Sequence, residues 1–153
     1  MPNFDAIDRA LLAALQSDAR QTNRALAATA GVAPSTSLDR VRDLERRGVV
    51  TGYGADVDLA ALGRPVQAMV AVRLHPKTHE IVQGFVDAAW QLPETVSVTL
   101  VTGADDALVH LAVPSVEVLR ALVLDHIARA PGVVDEHTSL VFEHRRRRVV
   151  EPA

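Results

Sequence analysis

Apolar residues recur through the first fifty positions as short helical stripes. Ile7, Leu11, Leu12 and Leu15 fall on one side of a helix, and Asp5 stands where its cap belongs, so the pattern predicts a helix from Asp5 to Gln16. Ser17 to Arg20 reads as a loop. Thr22 or Asn23 caps a second helix that runs to Ala30 with Leu26 inward, and Gly31 ends it. A third helix starts at Pro34, where the missing N–H costs nothing. Leu38, Val41 and Leu44, spaced i, i+3, i+6, predict its buried stripe, and Gly48 stops it. Three helices with a tight turn before the third make the helix-turn-helix plan.

The pattern then changes. Val49 to Leu59 reads as extended, with turns at Gly52 and Gly54: a two-stranded wing or linker. Leu62-Gly63-Arg64-Pro65 punctuates the chain. Beyond it the alternation predicts strands at Gln67–Leu74, Val96–Thr102, Ala107–Val113 and Val133–Phe142. Helices are predicted at Thr78–Trp90 and Val116–Arg129. The order β-α-β-β-α-β is the ferredoxin-like split βαβ, and the fold class is α+β. The predicted domains are 1–50 (helix-turn-helix), 51–65 (wing or linker strands), 66–144 (ferredoxin-like) and 145–153 (basic tail). With both helices on one face of the sheet, the other is left for a second copy, which predicts a homodimer.

Composition sharpens this. The 153 residues are 48% hydrophobic but only 3% aromatic, so packing is aliphatic. No run approaches ~18 apolar residues, which predicts no membrane span. The N-terminal stretch lacks a secretory pattern, so a cytoplasmic location is the expectation. With no cysteine, thiolate chemistry and disulfides are excluded. His75 and His79 flank Pro76 without a ligand set around them, and no nucleotide-binding loop or nucleophile motif occurs. Neither metal, cofactor nor enzymatic activity is expected. The net charge of −3 is unevenly spread: Arg20 to Arg47 carries six arginines against three acids, Leu59 to His144 five basic residues against ten acidic, and Arg145–Arg148 is a basic run. Local basic charge of this kind suits phosphate.

Several short motifs occur in register. They are Leu11-Leu12 through Leu15-Gln16-Ser17-Asp18-Ala19-Arg20, Leu26-Ala27, Gly31, Arg40-Val41, Leu44-Glu45, Gly48-Val49-Val50 and Gly52-Tyr53. In the second half come Thr102-Gly103-x-x-Asp106, Pro131-Gly132-Val133 and Thr138-Ser139. In this order the chain resembles the Lrp/AsnC family of transcription regulators over nearly its whole length. The resemblance implies a winged helix-turn-helix joined to a ferredoxin-like effector domain. It also implies dimers, rings of dimers, and a small-molecule effector, most often an amino acid, bound where effector domains of neighbouring dimers meet. Double-stranded DNA is then the expected macromolecular partner.

With Val41 taken as the centre of the buried stripe, Thr36, Asp39, Asp43 and Arg46 point outward, and Ser35 and Arg47 flank them. The expected DNA-binding residues are Ser35, Thr36, Asp39 and Arg40 near the helix start, with Arg42 and Arg46 beyond and Arg24 on the supporting helix as a phosphate contact. Asp39–Arg42 and Asp43–Arg47 read equally as intrahelical ion pairs. Relatives commonly have Ser where Ala33 stands, and a basic or polar residue where Asp39 stands. The expected effector-binding residues are Gly103, Ala104, Asp105 and Asp106, with Thr138 on the last strand. Backbone N–H groups of the Gly103 loop would meet a carboxylate and Asp106 an ammonium, although Gly and Asp also suit a plain turn. Asp105 beside Asp106 raises a cationic effector as a further expectation. Two other readings fit parts of the sequence: a regulatory module of a metabolic enzyme, and an assembly protein that binds no DNA.

Overall fold

A computed structural model describes residues 3–153. The described residues divide into two compact units: those up to Asp56 with 145–153, and residues 57–144.

The first unit holds α1 (Ala6–Ser17), α2 (Asn23–Ala30) and α3 (Pro34–Arg46). The Asp5 carboxylate caps α1 by accepting from the Asp8 N–H at 2.9 Å, and the Thr22 hydroxyl caps α2 through the Ala25 N–H at 3.2 Å. Gly31 then turns the chain at φ 67°, a conformation only glycine adopts without strain, and this sets α3 against α2. Ala33, at the N-cap of α3, makes no side-chain cap hydrogen bond. Leu11, Ala14, Leu15 and Leu26 form the core, with Ile7, Ala30, Val41 and Val50 packed on it.

The buried stripe of α3 differs from the expected one. Leu38 is 38% exposed, whereas Ser37 is fully buried with Leu44. Ser37 lies one turn before Val41 and two before Leu44, so it shares their face. Leu38, about 100° further round, falls at the edge. Hydrophobicity ranked these neighbours in the wrong order because the packing follows angle. The Ser37 hydroxyl finds no hydrogen-bond partner among the described residues.

No strand occurs between Val50 and Val66 among the described residues, so the expected wing strands are not formed. Residues 51–58 are irregular, consistent with Gly52 and Gly54 weakening strand propensity. Tyr53 ties this stretch back to α3: its hydroxyl donates to Glu45 Oε1 at 2.8 Å. Desolvation, then the Glu45 carboxylate, push the phenol up to about 12.

The second unit holds β1 (Val66–Leu74), α4 (His79–Trp90), β2 (Thr95–Leu100), β3 (Ala107–Val113), α5 (Val116–Leu122) and β4 (Val133–Leu140). After Leu122 the helix widens by one turn, and the Ala128 N–H reaches the Val123 carbonyl at 2.8 Å. The sheet order is β2-β3-β1-β4, with every neighbouring pair antiparallel. Ala68, Val70, Val72 and Leu74 alternate along β1 toward the helices and are fully buried beneath Phe85, Ala89, Leu119 and Ile127. Gln67, Met69, Ala71 and Arg73 take the other face. Gly132 (φ 85°) lets β4 begin directly against α4, where a Cβ would overlap Ile81 Cγ2.

Candidate DNA-reading helix and effector cavity

Rotating the buried face of α3 toward Ser37 reorganises its exposed side. Ser35, Asp39, Arg42 and Arg46, at i, i+4, i+7 and i+11, line up opposite the core, and all four are exposed. Asp39 and Arg42 enter no ion pair among the described residues. Arg46 Nη2 lies 2.9 Å from Asp43 Oδ1, and Arg47 Nη1 lies 3.2 Å from Asp43 Oδ2. Hydrogen bonds from Arg46 and then Arg47 hold the Asp43 carboxyl below the usual carboxylate range. The expected Asp43–Arg47 pair is therefore present, and the Asp39–Arg42 pair is not formed.

A second row, Thr36, Arg40, Asp43 and Arg47, turns toward the start of the chain. Arg40 Nη1 lies 2.9 Å from Asp5 Oδ2 and 3.2 Å from Asp8 Oδ1. The Arg47 guanidinium stacks 5.4 Å above the Phe4 ring. The Asp8 N–H, followed by Arg40, holds the Asp5 carboxyl below its ordinary value. Arg40, expected to meet DNA, thus has its charge engaged by α1 and the α1 cap. Thr36 and Arg24 are exposed.

In the second unit the Gly103 loop joins β2 to β3, with Gly103 at φ 138° and Ala104 exposed. Asp105 is half-buried. Asp106 already has its partners. Its Oδ2 accepts from the Leu74 N–H at 2.9 Å, its Oδ1 lies 2.6 Å from Lys77 Nζ, and its own N–H donates to the Val72 carbonyl at 2.9 Å. Lys77, then the Leu74 N–H, hold the carboxyl below its usual range. Asp106 therefore clamps the hairpin to the end of β1, and Lys77 occupies the place expected for an effector ammonium.

Thr138 lies elsewhere. It pairs with Val70 and so faces the helix side of the sheet. There it lines an open groove of about 390 Å³ between α5 with its widened turn and β4, and this groove is the candidate effector cavity. Val116, Val123, Leu124 and Leu140 make the cavity apolar, and Arg120 and Glu136 add one charge of each sign. The Thr138 hydroxyl donates to Glu136 Oε2 at 3.0 Å. The residues Gly103 to Asp106 do not line this cavity, so a single chain does not bring the two halves of the expected site together.

Two family descriptions cover the chain: a winged helix-turn-helix DNA-binding domain matches residues 4–51, and the Lrp/AsnC ligand binding domain matches residues 67–150. The chain belongs to the Lrp/AsnC family. It is a DNA-binding transcriptional regulator with a small-molecule effector domain. The transcriptional regulator AldR of Mycobacterium tuberculosis is 39% identical over 94% of this chain and 80% of its own. The leucine-responsive regulatory protein of Escherichia coli is 34% identical over 92% and 86%. Among solved structures, a Neisseria meningitidis transcriptional regulator in complex with L-Met superposes with a TM-score of 0.87 at 27% identity, over 95% of this chain and 94% of that one.

In this Lrp/AsnC regulator, the residues that sequence reasoning passed over are Asp8, Ser37, Lys77, Arg120 and Glu136. Glu136 carried a usable signal, since it precedes Thr138 by two on a strand and so shares its face. Lys77 and Arg120 carried none, because exposed lysines and arginines on loops and helices are common.

Proposed function

We propose that this regulator reads double-stranded DNA with the Ser35–Asp39–Arg42–Arg46 row of α3 and responds to an apolar amino acid held between α5 and β4. The observation that carries the effector half is the Thr138 cavity. An amino acid presents a carboxylate, an ammonium and a side chain, and this cavity offers Arg120, Glu136 and an apolar lining at once. Asp106 is less suited to the ammonium because Lys77 already compensates its charge. That same contact weighs against a cationic effector recognised by Asp105 and Asp106. The L-Met bound by the Neisseria relative supports an amino acid as the class.

On the DNA side, Ser35 and Asp39 sit on the first turns of α3, where a recognition helix meets base edges, and Asp39 suits a cytosine amino group. Arg42 supplies an uncommitted guanidinium. Thr36 and Arg24 serve phosphates, and Arg40 positions α3 through α1. The open sheet face, with Met69 and Ala71 at its centre, is covered by a second copy. The Gly103 loop then contributes from a neighbouring chain in a higher assembly. Effector binding that favours one arrangement of copies shifts the spacing of the α3 helices.

Calorimetry with the twenty amino acids tests this reading. An apolar amino acid should bind, and Arg120→Gln or Glu136→Gln should each weaken it by tenfold or more. A preference for lysine or arginine, or binding indifferent to both substitutions, would overturn the cavity assignment. A gel shift on the duplex upstream of its own gene tests the DNA half, and no complex there or on any genomic fragment would sink it.

A further inference from the structure

The last nine residues do not behave as a loose tail. The Val150 N–H donates to Gln16 Oε1 at 2.9 Å, and its carbonyl accepts from Gln16 Nε2 at 3.1 Å. The Gln16 side-chain amide of α1 thus pairs with this C-terminal strap, residues 145–153, as a neighbouring strand would. Arg9 Nη1 donates to the Pro152 carbonyl at 2.7 Å, and Arg148 lies 3.3 Å from Asp56. Val149 and Pro152 are half-buried. Residues 145–153 therefore belong to the compact unit that contains α1, α2 and α3. The Lrp/AsnC ligand binding domain, by contrast, matches through residue 150.

Charge gives this placement a consequence. Residues 1–56 carry seven arginines against seven acids (Asp5, Asp8, Asp18, Asp39, Asp43, Glu45 and Asp56), so their side chains sum to zero. The strap brings four arginines against Glu151, a surplus of +3. The whole cationic excess of the helix-turn-helix unit arrives with its C-terminal segment. Arg148 is engaged by Asp56. Arg146 and Arg147 are exposed and enter no ion pair among the described residues. A neutral unit that displays Asp39 on its reading helix has little general attraction for a polyanion, and two exposed guanidinium groups carried on the docked segment supply it.

We propose that Arg146 and Arg147 form a phosphate-binding arm of the DNA-binding unit, held in place by the docking of Val150 and Pro152 on α1. This rests on the reading that the unit binds duplex DNA. The arm contacts the backbone and not base edges, so it adds affinity to every sequence alike.

The test is the salt dependence of DNA binding by the full chain, measured on a random-sequence duplex and on the duplex upstream of its own gene. Each phosphate contact contributes about 0.9 to the slope of log K against log salt, so Arg146→Gln with Arg147→Gln should make the slope shallower by about 1.8 on both duplexes. The mass of the assembly should stay the same. Val150→Pro, which keeps all four arginines but removes the docking N–H, should lose part of the same slope. An unchanged slope in the double variant overturns the arm, and so does an unchanged slope with an altered mass, which would assign the arginines to subunit contacts. A full wild-type slope in Val150→Pro overturns the role of the docking. No binding by the wild-type chain at any salt would overturn both this inference and the DNA reading beneath it.

Discussion

Arg40 Nη1 lies 3.2 Å from Oδ1 of Asp8, and Asp8 is buried. The guanidinium joins α3 to α1 and compensates a carboxylate that water reaches poorly. Removing it leaves that charge unpaired. Arg40→Ala should destabilise the helix-turn-helix unit by about 2 kcal/mol, and Arg40→Gln combined with Asp8→Asn should recover most of it. Denaturant unfolding of the wild type, Arg40→Gln, Asp8→Asn and the variant carrying both measures the coupling. If Arg40→Ala keeps wild-type stability and loses only DNA affinity, Arg40 is a contact residue and the tie to Asp8 is incidental.

Arg42 offers the opposite combination. It is exposed, on the row facing away from the core, and enters no ion pair among the described residues. Arg42→Ala should cost about 1–3 kcal/mol in specific DNA binding if it pairs with a base, with unfolding stability changed by less than about 0.5 kcal/mol. Fluorescence anisotropy on specific and random duplexes separates the two effects, since a base reader loses discrimination and a phosphate contact does not.

Ser37 is fully buried, and its hydroxyl has no hydrogen-bond partner among the described residues. Ser37→Ala removes an unsatisfied polar group and raises helix propensity. It should stabilise the unit by about 1 kcal/mol. A lower thermal midpoint for this variant would mean that the hydroxyl is satisfied in solution.

Asp106 makes stability depend on pH in a definite direction. Its folded carboxyl is held below the ordinary 3.8 by Lys77 and the Leu74 N–H. The contact therefore contributes fully above 3.8 and is lost as pH falls below it toward the lower folded value. Asp106→Asn should cost roughly 1.5–3 kcal/mol at neutral pH, as loss of a charge-assisted bond does. The difference from wild type should shrink only at pH below 3.8, which paired unfolding titrations follow. A difference that fades well above that value would contradict the Lys77 clamp.

Gly132 combines φ 85° with a direction in which an added Cβ meets Ile81 Cγ2. Gly132→Ala should lower stability by more than about 2 kcal/mol, from backbone strain together with overpacking. Gly132→Ala with Ile81→Ala should recover only the packing share. Full recovery would show that the positive φ costs nothing there.

Element order was legible from periodicity and punctuation, as at Asp5, Thr22, Gly31 and Pro34, because caps and turns are local. The helix-turn-helix and the βαββαβ order follow from these, the motifs point to the regulator class, and the family and relatives that match the chain bear it out. Two local readings failed. Extended sequence suggests wing strands, but a strand needs a neighbouring strand to pair with, and residues 51–58 find none among the described residues. The face of α3 was read from hydrophobicity, but Ser37 is buried ahead of Leu38.

What the sequence determined by itself is what short-range physics encodes: where helices start, where strands alternate, and which family supplies the plan. What only the tertiary structure decided is which polar and charged groups meet. Arg40 with Asp8, Lys77 with Asp106, and Gln16 with Val150 join residues 32, 29 and 134 positions apart. Such pairs leave no periodic trace, because a polar or charged side chain looks the same in sequence whether it faces solvent, a partner or a nucleic acid.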